Sequence, residues 1–138
     1  MIEQYGVIAY RVGEDGEPRL LLITSRDTGR WVVPRGNPMP GLPPHAAAAE
    51  EAWEEAGVRG TVSDVALGHY RYAKRRRFGT VPAAVTLFAL QVEEEHEEWP
   101  ERGQRERRWF APAEAAAAVE EEELKGLILA FPETLSRN

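Results

Sequence analysis

The sequence predicts an α+β fold in which a mixed β-sheet lies between helices. Segments rich in β-branched, aliphatic and aromatic residues occur before, between and after two helical segments, and this order favours a sheet packed between helices. No repeat, linker or change of composition divides the 138 residues, a length that suits one domain of roughly 100–200 residues. We therefore expect residues 1–138 to form a single domain of the α/β/α sandwich type.

The first third of the chain contains three predicted strands. Residues 5–12 and 19–25 have the residue content of strands, and the Asp-Gly pair between them predicts a hairpin turn. Residues 31–33 form a shorter strand, which ends at Pro34. The following segment, 35–44, contains clusters of Gly and Pro and is predicted to be a loop.

A helix is predicted from His45 to Ala56, a segment of strong helix formers. Pro44 suits the first turn, where a missing N–H costs little. Gly57 suits the left-handed position that ends a helix. The helix is therefore bounded on both sides by residues that are typical of helix ends.

The rest of the chain is predicted to contain four strands and a helical tail. The strands are 58–62, 69–76, 81–92 and 107–110, with a turn at residues 77–79. The tail begins at Pro112 and runs to about Phe131, and Gly126 is its expected interruption. The two helical segments are thus expected on the two sides of the sheet.

Composition excludes several classes of protein. Without cysteine there can be no disulfide scaffold, thiol nucleophile or cysteine-bound zinc. The first residues do not resemble a secretory signal, and no apolar run approaches the roughly 18 residues of a membrane-spanning helix. We therefore expect a cytoplasmic protein with no membrane partner.

The net charge of −6 and the isoelectric point near 5.2 argue against a nucleic-acid partner. The charge is nevertheless uneven. Residues 74–77 are all basic, whereas 93–98 and 120–123 are acidic stretches, which we interpret as solvent-facing. The possibility that an anionic ligand binds to the basic residues therefore stays open.

The most informative segment is the end of the predicted helix. At about 100° per residue, Glu51, Glu54 and Glu55 lie on one face, and the opposite face is apolar with Trp53 as its large anchor. Like charges three and four residues apart destabilise a helix by a few tenths of a kcal/mol per pair. A divalent cation removes this conflict, because Mg²⁺ prefers oxygen ligands. Solvated glutamates on a surface helix are the alternative.

From Gly36 to Val58 the sequence resembles the signature of the Nudix hydrolases, G-x5-E-x7-R-E-U-x-E-E-x-G-U, where U is aliphatic. The matching positions are Gly36, Glu51, Glu54, Glu55 and the pair Gly57 and Val58. The resemblance implies that family's sandwich of helices around a mixed sheet. Segments 25–26, 31–36, 99–101 and 105–110 also resemble the subgroup that acts on diphosphoinositol polyphosphates and dinucleoside polyphosphates.

Two positions depart from the signature. Leu42 stands where the signature has glutamate, and Glu50 where it has arginine. The resemblance implies that in the family these two residues form an ion pair, which braces the loop against the helix. Here we expect Leu42 to brace the loop by packing. Glu50 is expected to point into water, with a role as an additional metal ligand left open.

The resemblance implies a hydrolase acting on a nucleoside diphosphate linked to another group X, or on a related phosphoanhydride. It implies that Glu51, Glu54 and Glu55 are catalytic and, with the Gly36 carbonyl, hold Mg²⁺, for which Mn²⁺ can substitute. An activated water would then attack phosphorus. Which glutamate takes the proton is open, and Glu106 is a further candidate.

The expected partner is a small, phosphate-rich substrate, and a homodimer is left open. Arginine presents a planar fork that suits phosphate oxygens, so the arginines flanking the third strand are the first candidates for substrate contacts: Arg26, Arg30 and Arg35. Lys74 and Arg76 are further candidates, because alternate side chains of a strand share a face. The rival functions are a catalytically weakened Nudix-fold nucleotide-binding or regulatory module and an acidic interaction protein without a small-molecule site.

Overall fold

A computed structural model describes residues 1–136 of the protein. Seven strands form one sheet in this part of the chain, and three helices cover its two faces. The strands are β1 (Ile2–Val12), β2 (Pro18–Thr24), β3 (Trp31–Val32), β4 (Arg35–Gly36), β5 (Val58–Arg76), β6 (Gly79–Glu95) and β7 (Arg107–Phe110). The helices are α1 (Pro44–Ala56), α2 (Pro112–Ala118) and α3 (Glu122–Ser136).

The sheet is mixed, as the sequence predicts. Its main path runs β3-β2-β1-β6-β5, while β4 pairs with β1 and β7 pairs with β2. The central pair β1 and β6 is parallel, and the other pairs are antiparallel. The predicted α+β sandwich is therefore confirmed.

Alternation along β1 divides the core between the two faces. Val7 and Ala9 pack with α1, whereas Ile8 and Tyr10 pack with α2 and α3. Successive side chains of a strand point to opposite faces, so a run that is apolar at every position needs cover on both sides. No helix in residues 1–136 is long and apolar enough to cross a membrane.

Helix α1 packs closely on the sheet through alanine rather than through Trp53. Ala48, Ala52 and Ala56 are fully buried against the strands. Trp53, expected as the apolar anchor, is only half-buried and packs edge-to-face on His96 at 5.0 Å. The prediction that Trp53 anchors the helix was wrong, because the buried face of α1 is rotated toward its acidic face. The buried face includes Glu55.

Two predictions about strands were also wrong. Residues 58–62 and 69–76 form the single long strand β5, which stays paired with β6 through register shifts near Val62, Ala66 and Gly68. Such bulges absorb extra residues without ending the ladder. Inside the predicted loop 35–44, Arg35 and Gly36 form β4 by pairing with β1.

The helical tail is interrupted earlier than predicted. It divides after Val119 rather than at Gly126, which lies inside α3, and α3 continues to Ser136. Lys125 holds the break by donating hydrogen bonds from Nζ to the carbonyls of Ala116 and Val119, at 2.9 and 2.6 Å. A side chain of α3 therefore satisfies carbonyls at the end of α2, which stabilises the break between the two helices.

The acidic stretches are not simply solvent-facing. The Glu121 side chain is 7% exposed and lies 2.8 Å from Arg30 Nη1. Glu123 pairs with Arg71 at 3.1 Å. In the other stretch, Glu95 accepts from Trp109 Nε1 at 3.2 Å. These carboxylates connect elements that are distant in sequence, which the local composition does not reveal.

We expect Gly57→Ala to destabilise the protein by roughly 2–4 kcal/mol, because two penalties of about 1–2 kcal/mol each combine. Gly57 has φ +71°, and a Cβ there would lie 2.5 Å from Trp99 Cδ2. Urea unfolding monitored by circular dichroism measures the loss. Gly29→Ala is the matched control, because Gly29 has φ +72° with open space around it. Equal losses at both positions would show that the Trp99 contact contributes nothing.

Candidate active site

A cleft of about 370 Å³ opens where β4, the end of α1 and the segment before β7 meet. It brings together seven of the residues predicted from the sequence. These are Arg26, Arg35, Gly36, Glu51, Glu54, Glu55 and Lys74. Residues from four separate segments therefore line one surface, with carboxylates and cations both present.

Gly36 and Glu51 are in direct contact in this cleft. A Cβ built on Gly36 would overlap the Glu51 carboxyl group. Gly36 belongs to β4, which pairs with β1 opposite Tyr5, and the alanine face of α1 packs on the same sheet. Only glycine lets the helix carboxylate approach the strand backbone this closely, so the spacing of the motif has a steric cause.

Glu55 is the most buried carboxylate of the cleft, with 8% of its surface exposed. Its Oε1 accepts a hydrogen bond from the Arg35 backbone N–H at 3.2 Å, and its Oε2 lies 3.6 Å from Arg105 Nη2. Burial raises the pKa of Glu55 to about 8, although the positive charge of Arg105 opposes this shift. The carboxyl group can therefore hold a proton near neutral pH.

The neighbouring carboxylates are also perturbed. Partial burial, followed by repulsion from Glu54, raises the pKa of Glu51. Desolvation, followed by the charges of Glu50 and Glu101, raises the pKa of Glu54. Acidic groups thus crowd together in a partly dehydrated site, where a nearby cation would stabilise their ionised forms.

Glu101 and Arg105 complete the cleft, and the sequence assigns neither of them a role. Arg105 Nε donates to Glu101 Oε1 at 2.9 Å, and its Nη1 donates to the Thr24 carbonyl at 3.2 Å. The Glu101 backbone N–H donates to the Glu54 carbonyl at 3.0 Å, which ties this segment to α1. The available sequence signal was the resemblance of segments 99–101 and 105–110 to the subgroup, which marks both residues without giving either a role.

The predicted cations fall into different surroundings. Arg35 donates from Nη1 to the Tyr70 hydroxyl at 3.2 Å, and its guanidinium lies 4.0 Å over the Tyr72 ring. Arg26 donates to Gln104 Oε1 at 3.1 Å on the rim. Lys74 reaches the same cleft from β5.

Three other candidates lie outside the lining of the cleft. Arg30, predicted as a substrate contact, lies in ion-pair distance of Glu120 and Glu121. Arg76 lines a second, shallower depression with Arg75, Arg77 and Asp27. Glu106 is exposed, and its backbone N–H donates to Thr24 Oγ1. The structure therefore does not bring these side chains to the acidic helix.

The two departures from the signature do not restore a brace between loop and helix. Leu42 is 44% exposed, so the expected bracing by packing is wrong. Glu50 is partly exposed and does not line the cleft, and within residues 1–136 it has no ion pair. The loop between β4 and α1 must therefore be held in another way.

The site offers oxygen donors, which are the ligands that suit a hard divalent cation. Carboxylate oxygens lie against the backbone of Gly36, because the Glu51 carboxyl group takes the place that a Cβ would fill. No three acidic or histidine side chains converge into a closed ligand set in the described part of the chain. Mg²⁺ usually binds through only one or two carboxylates and completes its shell with water and substrate phosphate, so this arrangement fits it.

Comparison with known proteins identifies the class to which this sandwich and its acidic helix belong. A sequence model described as the NUDIX domain matches residues 3–131. The chain therefore belongs to the Nudix family, whose members act on phosphoanhydride bonds.

Individual relatives agree with this assignment. The chain is 37% identical over 102 residues to Nudix hydrolase 12, mitochondrial, of Arabidopsis thaliana, covering 70% of the chain and 49% of that protein. It is 34% identical over 103 residues to diphosphoinositol polyphosphate phosphohydrolase 3-alpha of Mus musculus, covering 73% and 59%. The chain thus spans about half to three fifths of these relatives. The cytoplasmic location stays a prediction, since one relative is named as mitochondrial.

Solved structures show the same fold. A binary complex of Ap4A hydrolase from C. elegans superposes with a TM-score of 0.73 at 20% identity, covering 100% of both chains. The dihydroneopterin triphosphate pyrophosphohydrolase of E. coli has a TM-score of 0.71 at 18% identity, covering 96% of this chain and 95% of that one. At these identities the likeness establishes the architecture.

In metal-free buffer, we expect the stability of the protein to fall as the pH rises from 5 to about 8. The folded-state pKa of Glu55 lies above the ordinary 4.5, so the neutral carboxyl favours the folded state. Its contribution is complete below pH 4.5 and is lost as the pH rises through 8. The loss is a few kcal/mol at most, at about 1.4 kcal/mol per pKa unit.

Urea unfolding across this pH range measures the effect, and Glu55→Gln should flatten the curve because the amide cannot ionise. Glu14→Gln makes the same change on an exposed turn and serves as the control. A Glu55→Gln protein with the wild-type pH dependence would contradict the assignment of the shift to Glu55.

Proposed function

We propose that the chain is a Mg²⁺-dependent hydrolase of a phosphoanhydride bond in a nucleoside diphosphate linked to another group. The proposed substrate is phosphate-rich, such as a dinucleoside polyphosphate or a diphosphoinositol polyphosphate. The observation that carries the proposal is the cleft itself, in which crowded glutamates on α1 face Arg26 and Lys74. A phosphate–metal complex needs both kinds of group, because anionic phosphate and a cation must be held together.

In this proposal Glu51, Glu54, Glu55 and the Gly36 carbonyl hold the cation. When bound, Mg²⁺ supplies charge neutralisation and Lewis-acid polarisation of the phosphoryl group. The same glutamates are the candidates for accepting the proton of the attacking water.

The cations of the cleft are proposed to bind the phosphate groups. Arg35 is held in place by Tyr70 and Tyr72, so little freedom is lost when it meets a phosphate oxygen. Arg26 is on the exposed rim and can follow the substrate. Relatives named for diphosphoinositol polyphosphates and a fold neighbour named for Ap4A support a substrate with several phosphates.

A Nudix-fold binding or regulatory module with weakened catalysis is the second candidate. Two observations favour it: Leu42, in place of the signature's glutamate, is exposed, and Glu50, in place of its arginine, has no ion pair within residues 1–136. Both candidates share the phosphate cleft and differ in turnover. An interaction protein without a small-molecule site, the third class, predicts that Mg²⁺ leaves the melting temperature unchanged.

We expect Glu54→Gln to reduce turnover with Mg²⁺, measured as loss of substrate, by at least about a hundredfold, the scale of removing one acid–base or metal-holding group. The substrate panel contains nucleoside triphosphates, dinucleoside polyphosphates, diphosphoinositols and nucleotide sugars. Mg²⁺ should also raise the melting temperature of the wild type and raise that of the variant less.

Glu50→Gln is the matched control, since it is one helical turn earlier and outside the cleft. Its turnover should stay within about twofold of the wild type. Ligand binding by the wild type without turnover of any substrate would favour the regulatory module. An equal loss of turnover in both variants would show that the effect of Glu54→Gln does not depend on the proposed metal site.

The second depression suggests where a long phosphate chain would extend. Asp27 borders both the cleft and the basic group of Arg75, Arg76 and Arg77. We expect Arg76→Ala to raise the KM for a phosphate-rich substrate by about tenfold, the scale of one charge-assisted hydrogen bond. The KM for a short diphosphate substrate such as a nucleotide sugar should not change.

Arg59→Ala, on the same strand but stacked on Trp53, is the control for this experiment. Steady-state kinetics at two salt concentrations measures the difference. A KM that rises equally for both substrates would place Arg76 in a role unrelated to the length of the phosphate chain.

A further inference from the structure

A chain of amide and hydroxyl groups connects β1, β5 and the loop that begins at Gly36. Gln4 is 3% exposed, although it is polar. Its Oε1 accepts a hydrogen bond from the Tyr72 hydroxyl at 2.6 Å, and its Nε2 donates to Asn37 Oδ1 at 3.2 Å. All three side chains border the cleft.

The chemistry of the groups gives this chain a direction. The Tyr72 hydroxyl donates to the carbonyl oxygen of Gln4 at 2.6 Å. The Arg35 guanidinium, which has donors only, can contact that hydroxyl only at its oxygen. The Gln4 amide nitrogen then faces Asn37, so it meets the carbonyl oxygen of that side chain.

With the hydrogen bonds in this direction, the side-chain amide nitrogen of Asn37 has no protein partner in the described chain. The Oδ1 of Asn37 is occupied by Gln4, and its Nδ2 carries two donor hydrogens with no hydrogen bond to residues 1–136. Asn37 is exposed, follows Gly36 directly and lines the cleft. A donor is thus presented beside the proposed metal-holding carboxylates.

The rest of the loop does little to hold Asn37. Leu42 is exposed, and its backbone N–H donates only to the nearby Met39 carbonyl, at 3.1 Å. The side chain of Asn37 therefore depends on Gln4 for its orientation. Because Gln4 is buried and fixed in β1, the sheet sets that orientation.

We infer that Asn37 is a substrate-contacting residue that donates a hydrogen bond from Nδ2 to a phosphoryl oxygen, with Gln4 and Tyr72 as positioning residues. The inference rests on the proposed function, because it requires a phosphate-bearing ligand in the cleft. It adds a neutral donor to the charged contacts of that site. Asn37 should accordingly affect affinity more than the chemical step.

The first test is Asn37→Ala, which removes the donor without adding charge. The dissociation constant for imidodiphosphate, a P–N–P analogue of the anhydride, should rise about tenfold, the scale of a hydrogen bond to a charged group. Calorimetry measures it with and without Mg²⁺. For the best substrate of the panel, KM should rise similarly, whereas kcat should stay within about twofold.

Asn37→Asp replaces the donor by an anionic acceptor of the same shape, so it should weaken binding further. Gln91→Glu is the charge-matched control, because Gln91 is exposed on β6 and outside the cleft. Its affinity should match that of the wild type. An equal effect of the two charge changes would overturn the inference of a local contact.

The second test concerns the positioning residues. Tyr72→Phe keeps the ring under Arg35 but removes the hydroxyl, so it should raise KM severalfold in the wild-type background. In the Asn37→Ala background the same change should have no further effect, since coupled residues are not additive. Tyr10→Phe on β1 is the matched control, because Tyr10 packs in the core on α3.

The outcomes separate this inference from the proposed function. If the wild type hydrolyses a phosphoanhydride while Asn37→Ala leaves both KM and the imidodiphosphate affinity unchanged, the inference fails and the proposed function stands. If Tyr72→Phe acts equally in both backgrounds, the positioning role fails. A wild type that neither binds imidodiphosphate nor hydrolyses any substrate overturns both.

Discussion

The partial burial of three neighbouring carboxylates is the constraint on which this structure depends. Glu55 is almost fully buried, and Glu51 and Glu54 lie beside it on α1. Burying a charge is unfavourable unless it is paired. Here the compensation is partial: Arg105 lies near Glu55, and one backbone N–H donates to it. The raised pKa values express the remaining imbalance, which a bound cation would relieve.

The fold brings these carboxylates together because small residues let α1 pack closely on the sheet. Alanine at positions 48, 52 and 56 lets α1 lie directly on the sheet, and Gly36 leaves room for the Glu51 carboxyl. A larger side chain at any of these positions would separate the helix from β4. The stability of the sandwich and the composition of its cleft thus depend on the same small residues.

The far side of the cleft is organised by polar contacts between distant segments. Arg105 joins Glu101 to the end of β2 through the Thr24 carbonyl. Gln4 joins Tyr72 of β5 to the loop after β4. Hydrogen bonds of this kind fix the positions of the groups that they join. They give the open cleft defined walls even though the loop lacks the ion pair that the family signature has at positions 42 and 50.

The sequence alone was enough to predict the sandwich, most of the strands, α1 with its glycine end, and the glutamates of α1 that line the cleft. These features follow from local periodicity and from a motif whose spacing is fixed along one helix. The folded protein was needed to show that Glu101, Arg105 and Gln4 form walls of the cleft, that Arg30 is ion-paired and that the tail breaks between α2 and α3. Most of these features depend on hydrogen bonds or ion pairs between segments far apart in the chain, and such contacts leave no periodic pattern in the sequence.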